Sequence, residues 1–239
     1  MAKTFEALNK NVISGDAGMA YDAGNWQNIN LLSKRELAVI LQRISFLTTE
    51  KSCQVFNFTS SQKGEGTSSI LVNLVRYFSK IDPNKKMLLI DANFDRAIQH
   101  IAFNKKISPG LCEILQQNTD YLEAIQTLEE GYTYLVSRGS LSGSKSFEFS
   151  EKSIPKLIDQ LKKDFSYILI DSPAVLESSN SLHFARHADT TFMVARAFNT
   201  RYEVIEKAKT LLLEHQAIID GVILNRILQP IPGWLYNKL

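Results

Sequence analysis

A glycine-containing loop between two apolar segments is the feature of this 239-residue sequence that points most directly to chemistry. The loop reads TSSQKGEGTSS, residues 59–69, and it lies between the apolar run QVFNF and the amphipathic run ILVNLVRYF. In a P-loop, glycines permit a tight turn, and its backbone N–H groups bind phosphate together with the N-terminus of the following helix. The loop therefore predicts a phosphate site.

The loop departs from the P-loop pattern GxxxxGK[ST] at two positions. Ser61 stands at the first glycine, and Thr67 stands where a lysine would reach the β- and γ-phosphates. Gly66 and Ser68 keep the last glycine and the hydroxyl that binds Mg²⁺. Taken alone, the loop leaves two interpretations open: a phosphate site, or a plain turn between a strand and a helix.

Two aspartates favour the first interpretation. Asp91 follows the apolar run MLLI, and Asp171 follows the apolar run YILI. Ligands of open parallel sheets bind beyond the carboxyl ends of the strands, where P-loop ATPases place their metal-handling carboxylates. One such aspartate is often only a turn residue or a helix cap. Two of them, in this order behind the loop, indicate a nucleotide and magnesium site.

Short apolar runs alternate with amphipathic stretches from residue 54 onward. The predicted strands are QVFNFTS, KKMLLIDAN, YTYLVSRGS, YILIDSPA, TTFMVARA and IDGVILNRI. The predicted helices are SSILVNLVRYFSKI, GLCEILQQ, YLEAIQTL, SIPKLIDQLKKD and RYEVIEKAKTLLLEHQ. Because the strands are continuously apolar, they should be buried on both faces. The sequence thus predicts an α/β fold of the P-loop NTPase type, with a mostly parallel central sheet and helices on both faces.

Residues 1–50 differ in character from the rest. The stretch TFEALNKNV is predicted to be a short helix, and ISGDAGMAYDAGNWQNIN is predicted to be loose. The next stretch, SKRELAVILQRISFLTT, is predicted to be a helix with Ser33 as its N-cap. Its apolar residues have helical spacing: Leu37, Ile40, Leu41, Ile44 and Leu47. We therefore expect an N-terminal helical and loose segment (1–50), a P-loop NTPase-like domain (51–229) and a C-terminal tail (230–239).

The bulk composition excludes several classes of protein. With 44% hydrophobic and 22% charged residues the chain should bury a core, and its net charge of +2 gives no reason to expect a nucleic-acid partner. Cys53 and Cys112 lie far apart, which is typical of reduced thiols in the cytoplasm. No apolar run approaches the roughly 20 residues of a membrane helix. The sequence predicts a cytoplasmic protein.

Several motifs in order resemble the cytoplasmic domain of bacterial tyrosine kinases (BY-kinases) of capsule and exopolysaccharide synthesis. The resemblance covers about residues 54–226 and is carried by FTSSQKGEGTSSILVNL, LLIDANFDR, PGLCEIL, FSYILIDSPA and DGVILNR. It implies ATP or ADP with Mg²⁺ as cofactors. It also implies an inner-membrane polysaccharide co-polymerase or chain-length determinant protein as partner, and a peripheral position at that membrane.

The resemblance also assigns roles to individual residues. The phosphate loop would be formed by Gly64, Glu65, Gly66, Thr67, Ser68 and Ser69. Ser68 would bind Mg²⁺, with Asp91 near the metal and the attacking nucleophile, and Asp171 in the second shell of the metal. Asn225 and Arg226 would face the adenine base.

The sequence departs from the BY-kinase pattern at catalytic positions. Thr67 replaces the loop lysine, Asn93 replaces the second aspartate of its motif, and Asp95 replaces an arginine. BY-kinases carry an E-x-x-R-x-x-R motif that makes contacts between subunits. In this sequence the matching stretch, RELAVILQ, keeps the glutamate and replaces both arginines. Homo-oligomer formation is therefore left open. Only Tyr236 remains where BY-kinases carry a cluster of acceptor tyrosines.

Three hypotheses follow from these departures. The first is a degenerate BY-kinase relative that regulates or scaffolds polysaccharide assembly, with weak or absent phosphotransfer. The second is an active ATPase or tyrosine kinase in which Lys63 or a partner supplies the missing charge. The third is a positioning ATPase of the MinD/ParA type, which is disfavoured because Gln62 occupies the place of the signature lysine.

Overall fold

The computed structural model describes residues 12–14, 34–47, 54–82, 84–128, 132–141, 149–150 and 152–226. The strands are β1 (Val12–Ser14), β2 (Gln54–Ser60), β3 (Met87–Asp91), β4 (Ile125–Thr127), β5 (Thr133–Val136), β6 (Tyr167–Asp171), β7 (Thr190–Arg196) and β8 (Ile219–Asn225). The helices are α1 (Lys34–Leu47), α2 (Thr67–Ile81), α3 (Gln99–Ala102), α4 (Leu111–Leu115), α5 (Tyr121–Ala124), α6 (Ser153–Leu161), α7 (Asn180–His187) and α8 (Tyr202–Glu214).

The strands form one eight-stranded sheet in the order β1-β8-β7-β2-β6-β3-β5-β4. Every neighbouring pair is parallel except β4 and β5, which are antiparallel. Every residue of β2, β3 and β6 is buried, as expected for central strands covered on both faces. The predicted fold class is confirmed.

The core divides into layers on the two faces of the sheet. Leu89 and Leu169 face a layer formed with α1 and α2, whereas Ile90 and Ile170 face a layer formed with α6 and α7. This division follows from the period of two in a strand, which sends successive side chains to opposite faces. A third cluster packs α7 and α8 against β7 and β8.

The predicted amphipathic helix near residue 40 is confirmed as α1. Leu37, Ile40, Leu41 and Ile44 are buried in the same layer as α2. Arg43 of α1 donates from Nε and Nη2 to the two carboxylate oxygens of Asp220 in β8, at 2.9 and 2.6 Å. Several predicted features lie outside the described residues: the N-cap Ser33, the segment TFEALNKN, and the segment IPGWLYNKL, which contains Tyr236.

Two segments differ from the sequence prediction. Val12 was expected to end a short helix, and Ile13 and Ser14 were expected to begin a loose stretch. The three residues instead form β1, which pairs with β8. The expected helix YLEAIQTL ends after Ala124, and Ile125–Thr127 pairs with β5 as an antiparallel edge strand. In both places the free edge of the sheet supplies backbone partners, and tertiary pairing overrides weak local preference.

The described residues contain no helix that is both long enough and apolar enough to cross a membrane.

The parallel pairing brings three strand ends to one edge of the sheet. Asp91 at the end of β3 is in register with Asp171 at the end of β6, and Asp171 is in register with Phe58 near the end of β2. The phosphate loop follows β2 directly. The sheet therefore places the loop and both aspartates side by side.

Candidate functional site

The loop between β2 and α2 has the tight backbone that the glycines predict. Gly64 and Gly66 have φ angles of 85° and 100°, in the left-handed region that favours glycine. Gly66 is the N-cap of α2, and its carbonyl accepts the Ile70 N–H at 3.0 Å. The N–H groups of the first turn have no acceptor within the helix, so they are available to an anion.

The buried Glu65 side chain accepts hydrogen bonds from the backbone of the loop. Its Oε2 accepts the backbone N–H groups of Ser61 at 2.8 Å and Gln62 at 3.1 Å, and its Oε1 accepts the hydroxyl of Thr200. The residue is 3% exposed, and burial raises the pKa of its carboxyl. The Glu65 side chain thus stabilises the loop conformation and is not available to a ligand.

Thr67 stands at the start of α2 in place of the P-loop lysine. The residue is buried, and its Oγ1 makes no hydrogen bond to any described residue. The side chain is short and neutral, so it brings no positive charge to the first turn of the helix. This position is the main chemical difference from the P-loop pattern.

Ser68, Asp91 and Asp171, which are predicted to hold a metal, all contact Gln99. Both aspartates are fully buried, and the Ser68 hydroxyl lies close enough to the Asp171 carboxyl to lower its pKa. Asp91 accepts the backbone N–H groups of Asn93 at 3.3 Å and Gln99 at 3.0 Å. The arrangement offers hard oxygen ligands of the kind that Mg²⁺ prefers.

Burial raises the pKa of both aspartates. For Asp91 the second cause is the neighbouring charge of Asp171, because two carboxylates this close disfavour double ionisation. For Asp171, hydrogen bonds from Gln99 and Ser68 act in the opposite direction and favour the ionised form. A divalent cation at this pair would lower both pKa values.

Asn225 and Arg226 lie on the other side of the loop. Asn225 is 1% exposed; its Nδ2 donates to the backbone oxygen of Glu65 at 2.8 Å, and its Oδ1 accepts the Arg226 N–H. The Asn225 amide is therefore engaged with the loop, while Arg226 lines the adjoining cleft. Their contact with an adenine base stays a prediction.

A cleft of about 570 Å³ opens above the loop. All six predicted loop residues and Arg226 line it, whereas Asp91, Asp171 and Asn225 do not. Lys63 and Arg96 are exposed and also line the cleft. The cleft thus presents the helix N-terminus and three cationic side chains, none of which stands at the lysine position.

These residues fit a magnesium nucleotide through backbone N–H groups and oxygen ligands. Ser68, Asp91 and Asp171 would hold the cation, and the first turn of α2 would hold phosphate oxygens. Four buried polar atoms at this edge of the sheet have no hydrogen-bond partner among the described residues: Ser61 Oγ, Thr67 Oγ1, Gln99 Oε1 and Asp171 Oδ1. The described residues contain no cluster of three or more His, Cys, Asp or Glu that could hold another metal.

Three residues that contact the site were missed from the sequence. Gln99 contacts both aspartates, Thr200 contacts Glu65, and Glu177 accepts the Lys63 N–H at 2.8 Å. Thr200 and Glu177 lie more than a hundred positions from their partners, and no local pattern marks them. For Gln99 the only signal is a polar residue eight positions after Asp91.

Two curated relatives are bacterial tyrosine kinases, as the motifs predict. Tyrosine-protein kinase ptk of Acinetobacter johnsonii is 27% identical over 169 residues, 71% of this chain but 23% of that protein. Tyrosine-protein kinase YwqD of Bacillus subtilis (strain 168) is 25% identical over 194 residues, which are 81% of each protein. The chain therefore spans most of YwqD and about a quarter of ptk.

Solved structures show the same fold. The kinase domain of Escherichia coli tyrosine kinase ETK superposes with a TM-score of 0.76 at 19% identity, covering 87% of this chain and 81% of that one. The septum site-determining protein MinD of Pyrococcus horikoshii, complexed with Mg-ADP, gives a TM-score of 0.63 at 19% identity, covering 78% and 76%.

The match to a family covers most of the described domain. The sequence model described as cellulose biosynthesis protein BcsQ matches residues 54–221, from the start of β2 into β8. This range includes the phosphate loop, both aspartates and Thr200, and it ends just before Asn225. The chain belongs to the BcsQ family of cellulose biosynthesis proteins, and its curated relatives include BY-kinases.

Proposed function

We propose that this protein is a BY-kinase-like regulatory or scaffolding component of exopolysaccharide or capsule biosynthesis. It binds ATP or ADP with Mg²⁺ weakly, and its phosphotransfer is weak or absent. The observation that carries the proposal is Thr67, a buried neutral side chain at the position of the P-loop lysine.

The missing lysine affects catalysis more than binding. A P-loop lysine stabilises the charge that develops on the transferred phosphoryl group, and loss of one such stabiliser typically costs about 10²–10³ in rate. Ground-state binding retains the backbone N–H groups and the N-terminus of α2, whose first turn carries no acidic residue. A site of this kind can hold a nucleotide without turning it over.

Asn93 supports the same conclusion. Its backbone N–H donates to Asp91, and its side-chain oxygen accepts the Arg96 N–H at 3.1 Å, so the residue stabilises a turn. An amide cannot take a proton from an attacking hydroxyl as a second aspartate could. Asn93 therefore cannot supply the base that the second aspartate of the motif could supply.

The family supports a role in polysaccharide synthesis, and the kinase relatives suggest the place in the cell where the protein acts. We infer that the protein acts in the cytoplasm, peripherally at the inner membrane, through a polysaccharide co-polymerase or chain-length determinant protein. Val39 and Gln42 are exposed on α1, at the two arginine positions of the E-x-x-R-x-x-R contact motif of BY-kinases. Because both arginines are replaced, self-association would use another face of the protein.

A second candidate is an active ATPase or tyrosine kinase with a reassigned cation. The observation in its favour is that Lys63, Arg96 and Arg226 line the cleft. In this alternative one of them reaches the phosphates in place of the lysine. Removal of that residue would then abolish both binding and turnover.

Calorimetric titration of ATP and ADP, with Mg²⁺ or with EDTA, tests the proposal. Wild type should bind both nucleotides weakly, and Thr67→Lys should bind ATP at least about tenfold more tightly because it restores one cation at the phosphates. Thr67→Val is the matched control, since it keeps the shape and adds no charge. Wild-type ATP affinity equal to that of Thr67→Lys would contradict the proposed effect of the substitution.

A further inference from the structure

Gln99 hydrogen bonds to both residues of the buried carboxylate pair, Asp91 and Asp171. It is the first residue of α3, and it is 0% exposed. Its backbone N–H donates to Asp91 Oδ2 at 3.0 Å, and its side-chain Nε2 donates to Asp171 Oδ2 at 2.6 Å. The same Nε2 donates to the backbone oxygen of Ser68 at 3.2 Å. One residue therefore connects β3, β6 and the first turn of α2.

A neutral amide suits this position. A buried carboxylate without a hydrogen-bond donor is costly, and a glutamine supplies donors without adding a charge. A lysine here would compete with a cation, and a glutamate would add a third acceptor beside two carboxylates. The Gln99 amide thus orients Asp171 while leaving the negative charge of the pair for a cation.

Two acceptor atoms of the same cluster remain available. Asp171 Oδ1 and Gln99 Oε1 are buried, and neither accepts a hydrogen bond from a described residue. The Ser68 hydroxyl is near enough to the Asp171 carboxyl to lower its pKa, and Ser68 itself lines the cleft. These are hard oxygen donors next to the place where phosphate would bind.

We propose that Gln99 is a positioning residue for the magnesium ion that accompanies a nucleotide in this cleft. It fixes Asp91, Asp171 and the backbone at Ser68 relative to one another, so that their oxygens reach the cation together. This inference rests on the proposed nucleotide binding. Loss of a residue that orients metal ligands typically costs about 10–100-fold in metal affinity.

The test is the Mg²⁺ dependence of ADP binding in Gln99→Met, which keeps the length of the side chain and removes its donors. Calorimetry with Mg²⁺ and with EDTA gives the ratio of the two ADP affinities. We expect Gln99→Met to reduce this ratio by about tenfold or more and to change the affinity in EDTA by less than about twofold. Gln54→Met is the matched control: Gln54 is also buried, but it begins β2 at the opposite end of the sheet. It should leave the ratio unchanged.

A measurement on the wild-type protein separates positioning from a merely structural role and does not depend on the folding of Gln99→Met. The side-chain amide of Gln99 donates to the Asp171 carboxyl, so its NMR signals should shift when Mg²⁺ is added to the protein with ADP. Unchanged signals would overturn the inference.

The two proposals fail in different ways. In the first case, Mg²⁺ strengthens ADP binding to the same extent in wild type and in Gln99→Met. That result would overturn the role of Gln99 and leave the proposed function standing. Wild-type protein that binds no ADP in either buffer would overturn the nucleotide binding on which both proposals rest.

Discussion

Asn225 donates a hydrogen bond from Nδ2 to the backbone oxygen of Glu65 at 2.8 Å, and so ties the end of β8 to the phosphate loop. The two residues are 160 positions apart in the sequence. The loop conformation is thus fixed by the end of β8 as well as by its own glycines. The contact leaves no room for a side chain at the next residue of the loop.

That close approach predicts that Gly66→Ala damages the loop. A Cβ at Gly66 would lie 2.1 Å from Asn225 Nδ2, and the φ angle of 100° is itself unfavourable for alanine. Gly64→Ala is the matched control, because Gly64 has a φ angle of 85° but no atom within 4 Å of the added Cβ. We expect both variants to lose about 1–2 kcal/mol of unfolding free energy from backbone strain. Gly66→Ala should lose roughly 1–3 kcal/mol more from the clash.

Urea unfolding measures the difference directly. Equal unfolding free energies for the two variants would show that Asn225 moves away at little cost, and would remove the argument that it holds the loop.

The buried carboxylate pair predicts a pH-dependent stability. The native pKa of Asp171 is raised by burial above the value of an aspartate in the unfolded chain, about 3.9. Below that value the group is protonated in both states and its favourable contribution is complete; as the pH rises through the raised native pKa, the contribution is lost. Asp171→Asn removes the titrating group. The unfolding free energy of wild type should therefore fall more steeply than that of Asp171→Asn between about pH 4 and pH 7.

Asp159→Asn is the control for the loss of a carboxylate, because Asp159 lies exposed on α6. Its pH profile should follow that of wild type. Parallel profiles for wild type and Asp171→Asn would contradict the raised pKa of Asp171.

The cationic residues of the cleft predict a modest, salt-dependent contribution to nucleotide affinity. Lys63 and Arg96 are both exposed, so their attraction to phosphate is screened by water and salt. Lys63→Ala and Arg96→Ala should each weaken ATP binding only a few-fold, and less at high salt. Lys207→Ala on α8, which does not line the cleft, is the control. Abolished ATP binding in one of the two cleft variants would instead identify that residue as the reassigned lysine of the alternative function.

The sequence could predict the parts of this molecule that depend on local pattern. The continuous apolar runs of MLLI and YILI predicted central parallel strands, and the parallel arrangement in turn predicted that Asp91 and Asp171 would meet at one edge of the sheet. The glycines of the loop predicted its tight backbone. In each case the relevant residues lie within one element or at equivalent ends of two neighbouring strands.

The contacts that complete the site could not be predicted in this way. The Glu65 hydrogen bond to Thr200 and the Asn225 hydrogen bond to Glu65 depend on how distant elements are placed, and no spacing in the sequence encodes that placement. Gln99 was missed because a polar residue is usually solvated, whereas here it is buried and hydrogen bonds to both aspartates. The edge strand Ile125–Thr127 was missed because its pairing with β5 outweighs its weak helical pattern.

The central claim is that Thr67 leaves the site without effective phosphotransfer. The most direct test is the Mg²⁺-dependent release or transfer of labelled γ-phosphate at saturating ATP, compared between wild type, Thr67→Lys and Thr67→Val. We predict no turnover above background in wild type and Thr67→Val, and a measurable gain in Thr67→Lys. Wild-type hydrolysis or tyrosine autophosphorylation that requires Mg²⁺ and is lost in Asp91→Asn would contradict the claim.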